Sequence, residues 1–377
     1  MRSRFGTKAI QLLAMACFIV LVINCSLGGQ PSLKETFKNL FYIGTALNYD
    51  QIRGLETAST KIIEKQFNSI TPENILKWES IHPEPNKYNF APADSFVALG
   101  EKNNMFMVGH TLIWHYQTPA WVFEDDSGNQ VDRETLLRRM RDHIFAVVGR
   151  YKGRINGWDV VNEAVDDNGQ PRKSNWMQII GEDYLQKAFE WAHEADPDAE
   201  LYYNDYNLWI PAKRESVVQL VRNLQSKGVH IDGIGLQGHW GLDYPPLDEL
   251  ETSIVAYSKL DVQVMITELD LNILPLPAPE MGADIALNFE LQKELNPYPE
   301  ELPDSMQEKL ANRYAELFMV LNKHHNSISR VTLWGVHDGQ SWSNNWPVRG
   351  RTAYPLLFDR KFQPKLAFYA VIKTTEK

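Results

Sequence analysis

Short apolar runs alternate with amphipathic stretches along nearly the whole chain. The apolar runs, read as strands, are Phe41–Leu47, Ser69–Thr71, Phe106–His110, Gly157–Val161, Glu200–Tyr203, Gly233–Gln237, Val264–Thr267 and Val331–Trp334. Between them lie stretches with helical spacing. Leu136, Leu137, Met140, Ile144 and Val148 form one apolar stripe, with Arg138, Arg139, Arg141 and Asp142 largely on the other side. Tyr184, Leu185, Ala188, Phe189 and Ala192 form a second, expected to stop at Asp196-Pro197 because proline cannot continue a helix. Leu310, Tyr314, Leu317, Phe318 and Leu321 form a third. Eight strands alternating with helices predict an α/β fold, a single (β/α)8 TIM barrel. The rival is a doubly wound open sheet, which would need a glycine-rich phosphate turn after its first strand. Here that strand runs into Asn48-Tyr49-Asp50-Gln51, with no such turn. No repeat of 20–50 residues is visible, so a solenoid is not expected.

One long irregular stretch interrupts the alternation. Residues 275–303 contain six prolines and follow the seventh strand. In a barrel they form a large loop on the C-terminal face, where long ordered loops are usually functional.

The N-terminus has a different pattern. Arg2, Arg4 and Lys8 precede an apolar run, Ala9–Ile23, broken only by Gln11. This predicts a signal peptide over residues 1–24, and the run is short for a membrane span. Cys25 follows directly, which suggests a lipoprotein cut before Cys25 and lipidated on its thiol, although Val22-Ile23-Asn24 departs from the usual small residues. Ordinary secretion and an uncleaved anchor are the alternatives. The expected organisation is therefore leader 1–24, lipidated Cys25 and tether 25–36, and a catalytic domain 37–377. The expected location is the outer membrane, facing either the periplasm or the cell surface. Cys17 and Cys25 are the two cysteines, so the remaining chain must fold without an internal disulfide, which a domain of this size can do.

Bulk composition then narrows the function. A net charge of −10, or −13 once the leader's three cations are removed, and no Lys/Arg run argue against a nucleic-acid partner. The 11 Trp and 15 Tyr suit a carbohydrate binder, because flat rings stack on the apolar faces of sugars, though most are expected to be core. His110 and His115 lack a third ligand in a matching pattern, and neither H-E-x-x-H, G-x-S-x-G nor a P-loop occurs. No metal and no cofactor are expected, and a monomer is.

In a barrel, chemistry sits at the C-terminal ends of strands. The fourth strand ends Trp158-Asp159-Val160-Val161-Asn162-Glu163 and the seventh Val264-Met265-Ile266-Thr267-Glu268. A lone glutamate after a strand is usually a cap or an ion-pair partner. Two, ending two strands of one barrel, are what glycosidic cleavage requires: one protonates the leaving oxygen and one attacks the anomeric carbon. The other ends add Thr71-Pro72-Glu73-Asn74 with Lys77-Trp78, Gly109-His110-Thr111-Leu112 with Trp114-His115, Gln237-Gly238-His239-Trp240, and Trp334-Gly335-Val336 with Trp342. Amides, imidazoles, an ammonium and indoles together fit a hydroxyl-rich ligand.

At these stretches, together with Tyr203-Asn204-Asp205-Tyr206-Asn207 and Ile266-Thr267-Glu268-Leu269-Asp270, the chain resembles glycoside hydrolase family 10, the (β/α)8 xylanases. The likeness runs in order over roughly residues 40–372. It implies retaining endo-hydrolysis of β-1,4-xylosidic bonds in xylan and xylo-oligosaccharides, with Glu163 as acid/base and Glu268 as nucleophile. It also implies that His239 bridges Glu268 and Asp270 and that Asn162 binds the sugar 2-hydroxyl. Glu73, Asn74 and Lys77 would hold the next sugar, with His110, Trp114, Gln237, Trp334 and Trp342 lining the glycone side and Tyr206 also contacting substrate. His337 and Gly238 depart from the family's usual residues. The alternatives are the same chemistry on cellulose or mannan, and a non-catalytic polysaccharide-capture lipoprotein.

Overall fold

A computed structural model describes residues 30–277 and 285–376. Nine parallel strands form β1 (Tyr42–Leu47), β2 (Ser69–Pro72), β3 (Phe106–Ile113), β4 (Gly157–Asn162), β5 (Glu200–Asp205), β6 (Gly233–Leu236), β7 (His239–Gly241), β8 (Gln263–Asn272) and β9 (Ile328–Leu333). β1 pairs with both β2 and β9, and β6 pairs with β8, so eight of them close into a barrel. The short β7 lies beside the far end of β8, with His239 opposite Asp270. The predicted TIM barrel is the fold.

The strands form because their residues are buried on both faces, as parallel strands covered by helices must be. Phe106, Val108, Tyr202 and Met265 pack inside the barrel, and the Arg330 guanidinium lies 5.2 Å from the ring centres of Phe106 and Tyr202. Outside, the first predicted stripe is helix Arg133–Arg150, which buries Leu136, Met140, Ile144 and Val148 and is capped by Asp132. The second is helix Asp183–Ala195, which stops before Pro197 as expected. The third is helix Asp304–Lys323.

The strand ends differ from the sequence expectation in one direction at most positions. β3, β4, β5 and β8 run on through polar residues: to Ile113, Asn162, Asp205 and Asn272. Backbone pairing continues where apolar character stops, because these side chains are turned toward one another at the barrel mouth rather than toward the core. The ladders are also irregular there. Register shifts fall between His110 and Ile113, between Asp159 and Val161, and between Ile266 and Leu269. Such bulges re-aim side chains, and the last one contains Glu268.

One further boundary differs. Residues 31–36, expected as tether, are packed: helix Leu33–Thr36 buries Leu33, whose N–H donates to Gln66 Oε1 at 2.9 Å. Cys17 and Cys25 lie outside the described residues. Residues 285–303 of the proline-rich stretch lie against the segment after β9. Phe289 N–H donates to Pro347 O at 2.8 Å, and the Tyr354 hydroxyl donates to Tyr298 O at 2.7 Å.

Candidate active site

The polar strand ends converge on one cavity. Its wall holds Glu73, Asn74, Lys77, His110, Trp114, Gln117, Asn162, Glu163, Gln237, His239, Glu268, Ile285, Trp334 and Trp342. Twelve of the fourteen barrel residues singled out in the sequence therefore meet there. Asp270 stands one layer behind, reached through His239 and Trp342. Tyr206 is outside the wall; its hydroxyl accepts from Arg172 at 2.9 Å, and Lys213 Nζ sits 3.8 Å from its ring centre.

Glu163 follows β4 with a left-handed backbone, φ 61°. Such a conformation is costly for a non-glycine residue and persists only where neighbours enforce it. Its N–H donates to Asn204 O at 2.9 Å, and its carbonyl accepts from Arg172 Nε at 2.8 Å. Its carboxyl accepts from Trp114 Nε1 at 2.9 Å, Gln237 Nε2 at 3.0 Å and Asn162 Nδ2 at 3.2 Å. Glu268 accepts from Asn204 Nδ2 at 2.7 Å and meets His239 Nε2 at 3.1 Å. Asn204 Nδ2 also donates to Asn162 Oδ1 at 2.8 Å, so amides of β4 and β5 bridge the two carboxylates. The register pairs Asn162 with Asn204 directly, which is why they meet.

The two glutamates are tuned in opposite directions. Burial pushes Glu163 above the usual carboxylate range, and the nearby Asp205 charge pushes the same way. Burial also opposes ionisation of Glu268, but the His239 hydrogen bond, the charges of His110 and His239, and Asn204 outweigh it and hold the group low. His239 spans Glu268 and Asp270, with Nδ1 3.0 Å from Asp270 Oδ1. Although burial disfavours its charge, these two carboxylates raise it to about 10, so it is an imidazolium at neutral pH.

Around this pair the groups fit a sugar. Lys77 Nζ donates to Asn74 Oδ1 at 3.0 Å and Gln117 Oε1 at 2.9 Å, and lies 4.8 Å from the Trp114 ring centre. His110 Nδ1 is 2.9 Å from Asp159 Oδ2, which fixes the ring. Trp342 donates to Asp270 Oδ2 at 2.6 Å and stacks on Trp346 at 4.4 Å.

Asn204, Gln117, Ile285 and Trp346 were not singled out as site residues. Asn204 had a usable signal, a polar residue ending the fifth apolar run. The two departures are also explained locally. A Cβ at Gly238 would stand 2.9 Å from the Leu269 Cα, too close without a backbone shift. His337 meets the Glu56 carboxylate at 3.2 Å, away from the cavity wall. Among the described residues no group of three His, Cys, Asp or Glu side chains is placed to hold a metal ion.

A parallel barrel whose mouth presents two buried glutamates, one held above and one below the usual carboxylate range, bridged by amides and flanked by indoles, defines a (β/α)8 glycoside hydrolase. The particular lineage follows from comparison with known proteins. The chain belongs to glycosyl hydrolase family 10, whose profile matches residues 32–374. It is 46% identical over 358 residues to endo-1,4-beta-xylanase A of Xylanibacter ruminicola, covering 95% of this chain and 97% of that protein. It is 45% identical over 345 residues to a beta-1,4-xylanase of Dictyoglomus thermophilum, covering 91% of each. A GH10 endoxylanase structure from a sugarcane soil metagenome superposes with a TM-score of 0.88 at 45% identity, covering 91% of this chain and 99% of that one.

Proposed function

We propose that this protein is an endo-1,4-β-xylanase that cleaves xylan and xylo-oligosaccharides with retention of configuration. The observation that carries this reading is the opposed tuning of Glu163 and Glu268 across one cavity. Glu268, ionised and oriented by His239 and Asn204, attacks the anomeric carbon. Glu163, protonated, gives its proton to the leaving oxygen. Loss of the Glu268 charge on forming the glycosyl-enzyme, and loss of the Glu163 proton, then turn Glu163 into the base that activates water. Asn162, beside both groups, is assigned to the 2-hydroxyl. Glu73, Asn74 and Lys77 are assigned to the neighbouring sugar, with His110, Trp114, Gln237, Trp334 and Trp342 around the glycone and Tyr206 near the substrate.

Release of reducing ends from purified xylan, cellulose and mannan tests the substrate. Activity largely confined to xylan is expected; equal activity on mannan or cellulose would replace the xylan assignment, and none on any would remove the enzymatic one. An NMR time course should show β product first, and α product first would contradict double displacement.

The apolar run ending at Cys25 supports a second part of the proposal. Residues 1–24 act as a lipoprotein leader, and Cys25 carries lipid that anchors the enzyme to an outer membrane. Two or more chains give stable anchoring at about 0.8 kcal/mol per buried CH2.

A further inference from the structure

Behind Glu163, away from the cavity, lies a buried cluster that the reaction as described does not use. Asp205 ends β5 with no exposed side-chain surface, and Lys213, on helix Pro211–Ser226, is equally buried. Lys213 Nζ is 2.8 Å from Asp205 Oδ1 and 3.1 Å from Asp167 Oδ1. Tyr206 N–H also donates to Asp205 Oδ1, at 2.9 Å. On its other oxygen Asp205 accepts from the Tyr203 hydroxyl at 2.5 Å and from Val165 N–H at 3.4 Å. The Tyr203 hydroxyl in turn accepts from Ala164 N–H at 3.1 Å.

The three successive N–H groups of Glu163, Ala164 and Val165 thus all end on β5: on Asn204 O, the Tyr203 hydroxyl and the Asp205 carboxylate. Breaking a buried pair is costly, but its mere presence is weak support for stability. Here the pair is aimed at the backbone that bears the left-handed Glu163.

We propose that Asp205 is a positioning residue for Glu163: with Tyr203 it holds the Glu163–Val165 turn, and with Lys213 it sets the charge that Glu163 faces from behind. The inference rests on Glu163 being the acid/base. Asp205 does not reach the cavity, so it acts through Glu163. Its negative charge opposes ionisation of Glu163, whereas Arg172, whose Nε holds the Glu163 carbonyl, favours it. The other charged groups near Glu163 are Lys77 and Glu73 after β2, His110 with Asp159 on β3 and β4, and Glu268 with His239 and Asp270 across the cavity. Tyr184 and Tyr206 stay neutral, raised by burial to beyond their ordinary range.

The test is kcat/KM against pH for Asp205→Asn, Tyr203→Phe and Glu163→Ala, with xylobiosides of poor and of activated aryl leaving groups. Asp205→Asn removes the charge and leaves Lys213 paired with Asp167. Its alkaline limb should fall by about one pH unit, the size of one charge change at a buried site. On the alkaline side of that limb, turnover of the poor leaving group should fall roughly tenfold. The acid limb, KM and the activated substrate should change little. Tyr203→Phe keeps the charge and drops the tether, so kcat on the poor leaving group should fall with the alkaline limb in place. An unmoved alkaline limb in Asp205→Asn, or equal movement of both limbs, overturns the charge role. Unchanged kcat in Tyr203→Phe overturns the tether, and this reading stands even if Asp205→Asn does not fold. If Glu163→Ala itself shows no leaving-group dependence, the acid/base assignment fails instead, which is a distinct result.

Discussion

His239→Asn isolates how the nucleophile is kept ionised. In the parent, the His239 imidazolium meets Glu268 at 3.1 Å and Asp270 at 3.0 Å. Asparagine is too short to span both. Glu268 then keeps the Asn204 donor at 2.7 Å but loses a charge-assisted bond at a buried carboxylate. Such a bond contributes about 1.5–3 kcal/mol, and 1.36 kcal/mol is one pKa unit, so the Glu268 pKa should rise by about 1–2 units. The sign follows from the role. Glu268 attacks as a carboxylate, so a raised pKa removes active enzyme at the acid end, and the acid limb of kcat/KM moves up by the same 1–2 units. The assay uses an aryl xylobioside with an activated leaving group, which does not need protonation by Glu163, so the limb reports Glu268. A folded variant whose acid limb stays where the parent's is would refute the reasoning. Stability gives an independent readout. His239 is raised from 6.5 to about 10 on folding. Its stabilising contribution is complete below about 6.5 and is lost as pH rises through about 10. The parent should therefore lose unfolding free energy across that window, and the variant should lose less.

Three further outcomes are expected. Glu163→Ala should slow poor leaving groups by about 10²–10⁴-fold and activated ones far less, and azide should restore part of the rate; equal slowing of both would count against the acid role. The coplanar pair His82 and His143, 3.2 Å apart at Nδ1 between Trp78 and Tyr88, is kept neutral by burial, with His82 near 4 and His143 also well below 6.5. The unfolded chain takes up these protons first, so stability is present above about 6.5 and is lost as pH falls toward 4; His82→Leu with His143→Leu should flatten that slope in urea titrations, and an unchanged slope would place the acid sensitivity elsewhere. Cys25→Ser should move the enzyme from the membrane fraction to the soluble fraction, and a parent that is already soluble would leave ordinary secretion as the reading.

The barrel was legible because parallel strands covered on both sides are nearly continuous apolar runs, so each stands out against amphipathic helices. What hid the strand ends was function. Glu268 and Asp270 belong to β8, and Asn204 and Asp205 to β5, yet each interrupts the apolar pattern that marks a strand. The tether boundary failed for a smaller reason. Leu33 is a single apolar residue in a polar stretch, and its partner Gln66 is thirty-three residues away. In the 275–303 stretch, six prolines are enough to predict a loop. That it lies against Pro347 and brings Ile285 to the cavity depends on packing with the segment after β9, which no local pattern records.

The site divides along the same line. That two glutamates end two strands is a statement about spacing, and spacing is visible in a chain. Which one is the acid is a statement about neighbours. Glu163 and Glu268 are both buried carboxylates at the barrel mouth, and burial pushes both the same way. They part because β6 and β7 bring an imidazolium to Glu268, whereas β5 brings the Asp205 charge behind Glu163. These contacts span 29 and 42 residues of sequence. A residue such as Asp205, which touches no cavity wall, can then bear on the chemistry as much as one that does. Its presence in the fifth run signals only a polar strand end until the fold closes and sets it beneath the turn that carries Glu163.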